Sequence, residues 1–146
     1  MALSILSLFS CTFGAPDGEI IEATLSMGGM RDFYRFHLRQ TEDGVLFSAD
    51  EDDGEGRVTF EDRPVPEVLL SEFRRAAEDM GFENSVIAAK KARPSGALDK
   101  TTWEFTLTWS DGTKKTTTVH PEGEEAVRAY LSKAARTLAV SPEEAG

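Results

Sequence analysis

Glu51, Asp53, Glu55 and Asp62 have the spacing of oxygen ligands in a calcium loop. They fall at positions one, three, five and twelve, with Gly56 at six and Val58 at eight, and hard oxygen donors are what Ca²⁺ takes. Three features weaken the match. Glu51 is longer than the usual first ligand, Asp62 is short for a bidentate last one, and the flanks read as strands rather than helices. The competing reading is a solvated hairpin loop whose charges keep a sheet edge soluble. A second group, Arg35, His37 and Arg39, alternates along one stretch with Phe33 beside it and Arg31 just before. Such a row could bind an anion or a carboxylate-bearing partner, but cross-strand pairing with nearby acids is the favoured expectation.

His37 and His120 are the only imidazoles. A general base needs a carboxylate to orient it and a nucleophile within reach, and neither histidine lies in a nucleophile motif. Ser95-Gly96 lacks the strand–elbow–helix context of a hydrolase. Cys11 has no cationic neighbour to lower its pKa and reads as an inert thiol. No G-x-G-x-x-G, P-loop or H-E-x-x-H occurs. The expectation is a non-catalytic protein without a cofactor, although a site made only of carboxylates escapes a motif scan.

The chain has 146 residues, a length that suits one domain burying about two thirds of its unfolded surface without staples. One cysteine forbids an internal disulfide framework. The net charge of −10 argues against a nucleic-acid binder, which needs a basic face to release counterions. That charge is uneven. Residues 19–62 carry −8, residues 63–100 carry +1 and residues 101–146 carry −2. An acidic first sheet points to a basic protein partner reached by electrostatic steering. Asp50, Asp52 and Asp53, with Arg35, His37 and Arg39, are the expected interaction surface.

Residues 1–13 are uncharged and mostly apolar, and no Lys or Arg precedes Arg31. A secretory signal needs a basic start, so this stretch reads as an apolar leader docked on the domain, or a first strand. Leu8-Phe9-Ser10-Cys11 faintly matches a lipobox, which would make an envelope lipoprotein anchored through Cys11. No window reaches the length of a membrane span. The cytoplasm is the default compartment, and a lone cysteine suits it.

The expected organisation is a leader and linker over residues 1–18, one domain over 19–140 and a frayed tail over 141–146. In the domain Ile21, Ala23, Leu25 and Met27 share a face. Tyr34, Phe36 and Leu38 alternate with the cationic row. Asp43-Gly44 marks a hairpin, Val45, Phe47 and Ala49 continue the apolar face, and Val58 and Phe60 close a four-stranded meander. Pro64 and Pro66 are expected to break the sheet. Val68, Leu69, Phe73, Ala76, Ala77 and Met80 form a helical stripe, with Gly81 as its left-handed cap. Residues 82–99 read as a helix end or short strand, then a loop with Lys90, Lys91 and Arg93. Trp103, Phe105, Leu107 and Trp109 face the core, residues 113–120 return as a polar strand, and Pro121 opens a last helix with Val127, Tyr130, Leu131, Ala134, Ala135 and Leu138 inward. This is α+β: an antiparallel sheet, meander plus hairpin, with two main helices on one face.

The run Ser26-Met27-Gly28-Gly29-Met30, the strand Phe33-Tyr34-Arg35-Phe36, the Trp103 strand, the turn Trp109-Ser110-Asp111-Gly112 and the Pro121 helix together resemble small bacterial proteins of unknown function. The resemblance spans roughly Glu19 to Leu138. It implies a fold and brings no activity and no catalytic residue.

Overall fold

A computed structural model describes residues 16–89 and 101–139. The leader with Cys11, the basic cluster at Lys90, Lys91 and Arg93, Ser95-Gly96 and the tail lie outside the described residues. The elements run β1 (Ile20–Gly28), β2 (Phe33–Thr41), β3 (Gly44–Asp52), β4 (Arg57–Val65), α1 (Glu67–Asp79), α2 (Phe82–Ala88), β5 (Thr102–Trp109), β6 (Lys114–Thr117) and α3 (Glu124–Ala139). Every strand pair is antiparallel, and the order across the sheet is β4-β3-β2-β1-β5-β6. The first four strands form the expected meander, the β5–β6 hairpin joins its β1 side, and the fold is α+β.

Period-two alternation decides the two faces. Ala23, Leu25 and Met27 of β1 line up with Tyr34, Phe36 and Leu38 of β2, Val45, Phe47 and Ala49 of β3, and Phe105, Leu107 and Trp109 of β5. These side chains are buried against Leu69, Leu70, Phe73 and Ala77 of α1, Phe82 and Val86 of α2, and Val127, Leu131 and Ala135 of α3. The residues between them, including Glu22, Thr24, Arg35, His37, Ser48, Asp50 and Thr106, lie on the opposite, open face.

Two β-bulges shift the pattern. The register with β5 skips from Ile20 to Glu22, so Ile21 is the extra residue and Ile20, not Ile21, takes the core position. Arg74 Nε donates to the Ile20 carbonyl at 2.7 Å, at the irregular end of the ladder. The second bulge sits opposite Ser48, where Phe47 pairs with Arg63 and Ala49 with Phe60, leaving Glu61 and Asp62 against one residue. Asp62 has φ +49°, a left-handed conformation that aspartate tolerates better than most residues.

Other expectations shift for local reasons. β4 runs through Pro64 instead of stopping there, because β4 is an edge strand and a missing N–H on its outer side costs no ladder bond. The turn between β2 and β3 is Glu42–Asp43, with Gly44 already paired to Thr41 at φ +136°. The α1 stripe is rotated: Leu70 is buried, while Val68 and Met80 are 55% and 51% exposed. Gly81 adopts the expected left-handed turn, φ +81°, and the chain goes straight into α2. β6 ends at Thr117, whose hydroxyl accepts the Val119 N–H at 3.0 Å. The last helix begins at Glu124 rather than Pro121. Gly123, at φ +73°, turns the chain there and accepts the N–H groups of Ala126 and Val127. A Cβ on Gly123 would lie 2.6 Å from the Met80 carbonyl oxygen, so only glycine fits this crossing.

Candidate functional site: the open face of the sheet

The floor of the open face is set by register. Arg35, His37 and Arg39 stand in a row on β2, opposite Ser26, Thr24 and Glu22 of β1 and opposite Asp50, Ser48 and Leu46 of β3. A hollow of about 750 Å³ covers this area, with Thr59, Glu61 and Asp62 of β4 on its far side. The structure therefore brings Arg35, His37, Arg39 and Asp50 together.

Most of these charges are already paired. His37 Nε2 lies 2.5 Å from Glu22 Oε2. Arg39 donates to Asp62 Oδ1 at 3.3 Å. The bulge makes this contact possible, because it turns Asp62 onto the open face. There the Asp62 N–H donates to Ser48 Oγ at 2.8 Å. Asp50 lies directly across from Arg35, yet both its oxygens accept from Arg57, at 3.0 and 3.1 Å. Arg57 in turn stacks over Phe33, 5.5 Å from the ring centre. Among the described residues Arg35 has no ion-pair partner, and neither do Asp52 and Glu61. Cross-strand pairing thus accounts for His37 and Arg39 and leaves Arg35 over.

The four carboxylates of the calcium-like spacing do not converge. Alternation turns Glu51 to the helix side, where Ser132 Oγ lies 2.7 and 2.9 Å from its two oxygens. Asp53 caps its own turn, accepting the N–H groups of Glu55 and Gly56 at 2.8 and 3.0 Å, and also pairs with Arg136 at 3.0 Å. The Glu55 N–H, then that of Gly56, and the Arg136 cation hold the Asp53 carboxyl below the usual aspartate range. Asp62 faces the other side of the sheet. Asp52 accepts the Gly54 N–H at 2.9 Å. Among the described residues no group of three or more His, Cys, Asp and Glu side chains is placed to hold a metal ion. None of the described helices is long and apolar enough to cross a membrane.

A polar seam under α3 escapes sequence reasoning. Glu124 is 1% exposed. Tyr34 donates to its Oε2 at 2.5 Å, His120 Nε2 lies 3.0 Å from Oε1, and Arg128 Nε lies 3.1 Å from Oε2 without a linear hydrogen bond. Burial first, and the bond to Glu124 second, push the Tyr34 hydroxyl far above the ordinary tyrosine range. Trp103 packs edge-on to His120, with ring centres 4.6 Å apart. About two and three turns beyond Glu124, Ser132 and Arg136 meet Glu51. Glu124, Arg128, Ser132 and Arg136 are spaced four apart, which puts them in one row on the helix. That spacing is the one signal of the seam in the chain itself. It is masked because the glutamates after Pro121 have a sufficient reason to be there in the helix dipole.

No family model, no curated protein and no solved structure matches this chain.

Proposed function

We propose that the chain is a non-catalytic binding module that docks a basic segment of a partner protein on the open face of its sheet. The observation that carries this reading is the hollow of about 750 Å³ on a face no helix covers, where the acids Glu22, Asp50, Glu61 and Asp62 outnumber Arg35 and Arg39, Glu61 has no ion-pair partner among the described residues, and the likewise unpaired Asp52 follows Asp50 by two residues on β3. Glu42, Asp43 and Glu55 add further negative charge at the adjacent turns, and residues 19–62 carry −8 in all. Both sheet edges favour docking on the face over strand addition. β4 is interrupted by a bulge and Pro64, and β6 is four residues long with Lys114 and Lys115, devices that discourage a further strand. The compartment we propose for it is the cytoplasm, where a lone cysteine such as Cys11 stays reduced.

Calorimetric titration with a lysine-rich peptide and with an acidic peptide of equal length tests the reading. At about 50 mM salt the lysine-rich peptide binds and the acidic one does not. At about 500 mM, where the screening length falls from about 14 Å to about 4 Å, binding weakens strongly. The variant Asp52→Asn/Glu61→Gln weakens it as well. Absence of binding at low salt, or binding indifferent to both salt and the variant, overturns the proposal.

A further inference from the structure

Among the described residues Arg35 is the one arginine of the sheet's open face without an ion pair. It is exposed, and two aspartates of β3 lie within its reach, Asp50 directly across and Asp52 on the diagonal. Both are engaged elsewhere. Arg57 takes both oxygens of Asp50 and is itself held over the Phe33 ring, and Asp52 accepts the Gly54 N–H. Two acids without an ion pair among the described residues flank Arg35 at a distance. Glu104 of β5 stands across Ser26 of β1, which itself stands across Arg35. Glu61 lies on β4 in the bulge opposite Ser48, at the level of His37. Each acid is thus two strands from β2, on opposite sides. Neighbouring strands are about 4.8 Å apart, which puts each about 10 Å across the sheet from Arg35. A free cation stands between two free anions.

We propose that the partner segment docked on this face carries one carboxylate between two basic residues, and that Arg35 binds this carboxylate. The inference rests on docking of a basic segment at the open face and gives that segment its charge pattern. A segment in the polyproline II conformation presents one face every third residue, about 9 Å apart. Its backbone needs no partner strand, so it can lie on the face of a sheet. The pattern that fits is basic-x-x-acidic-x-x-basic, laid across the strands, with its basic ends at Glu104 and Glu61. A guanidinium suits the centre, because its planar fork pairs with both oxygens of a carboxylate. A segment basic throughout sets a third cation against Arg35, and that like-charge contact selects against it.

Three peptides with blocked ends test this by nuclear magnetic resonance titration of the full chain at about 50 mM salt, beside the lysine-rich peptide. They are Lys-Pro-Ser-Glu-Pro-Ser-Lys, its analogue with Gln for Glu, and the permuted Lys-Glu-Pro-Ser-Pro-Ser-Lys. The first binds at least about threefold tighter than its Gln analogue, although its net positive charge is lower. The permuted peptide lacks this advantage. Arg35→Gln removes the preference, and Arg35→Glu inverts it in favour of a peptide with Lys at the centre. Arg35 is exposed, and unchanged signals from the helices verify the fold of both variants. If the lysine-rich peptide binds but central Glu gives no advantage over Gln, the charge pattern is overturned and the docking reading stands. A preference that survives Arg35→Gln overturns the pattern in the same way. If none of the four peptides binds, the docking reading falls, and this inference with it.

Discussion

Carboxylates and cations lie on both sides of the sheet, and they do different work. On the open face the Glu22–His37 contact and the Arg39–Asp62 ion pair leave a third to a half of each side chain in water. Under α3 the same chemistry is enclosed: Glu124 is buried, and Tyr34, His120 and Arg128 converge on it. Water screens the first set and can replace either partner. In the second set His120 and Arg128 still reach water, but Glu124 does not. The contrast shows that the charge total of this chain says little about stability, and that burial decides which charges matter.

Breaking the buried set gives the largest effect. Glu124→Ala leaves the buried Tyr34 hydroxyl and the buried Arg128 Nε without their acceptor, while the rest of the Arg128 side chain keeps its water, and costs about 2–3 kcal/mol in urea unfolding. If that variant does not fold, Glu124→Gln keeps the shape and one acceptor and costs less. A loss near zero for both removes the distinction between the two sides. Tyr34→Phe costs about 1–2 kcal/mol, because it leaves one oxygen of Glu124 a donor short.

The same tyrosine gives a pH prediction. The folded-state pKa of Tyr34 is raised. Its contribution is therefore complete below the unfolded-state value of about 10 and is lost as pH rises beyond it. Native stability should fall above about pH 10, and Tyr34→Phe should fall less steeply. Parallel curves for the two proteins count against the assignment.

On the open face backbone conformation counts for more than charge. Asp62→Val places a β-branched residue at φ +49° and costs about 1–3 kcal/mol, whereas Asp62→Asn, which tolerates that backbone, costs less. Glu22→Gln costs under about 1 kcal/mol, and the difference fades in high salt. A larger, salt-independent cost would mean that the open face is energetically part of the core.

Alternation makes the sheet legible. Tyr34, Phe36 and Leu38 against Arg35, His37 and Arg39 specify both faces of β2 by residue type alone, and the Trp103–Trp109 strand does the same. What stays hidden depends on one inserted residue or on a distant neighbour. A bulge leaves no local composition mark, so spacing puts Ile21 where Ile20 belongs, and the turning of Asp62 toward Arg39 is invisible. Strand period alone puts Glu51 inward, but its loop-like neighbours suggest a ligand. Val68 and Met80 fit the α1 stripe by spacing and are exposed because the three helices share a limited area of sheet. Of the expected interaction surface, the row on β2 and Asp50 can be read from periodicity. Their existing partners, Glu22, Asp62 and Arg57, cannot be read without the register.

The seam under α3 also constrains the order in which the chain can become complete. Tyr34 waits for Glu124, ninety residues later, and Glu51 for Ser132, eighty-one residues later. Arg63, stacked on Phe60, donates to the carbonyl of Leu138, seventy-five residues on. A polypeptide emerging from the ribosome makes the whole meander before any of these partners exists. Until α3 arrives, the inner side of β2 and β3 holds a hydroxyl and a carboxylate that must stay wet, and the sheet cannot close over them. Final packing therefore waits for the turns of α3, and any delay or truncation near residue 124 leaves the early strands open to water and to one another.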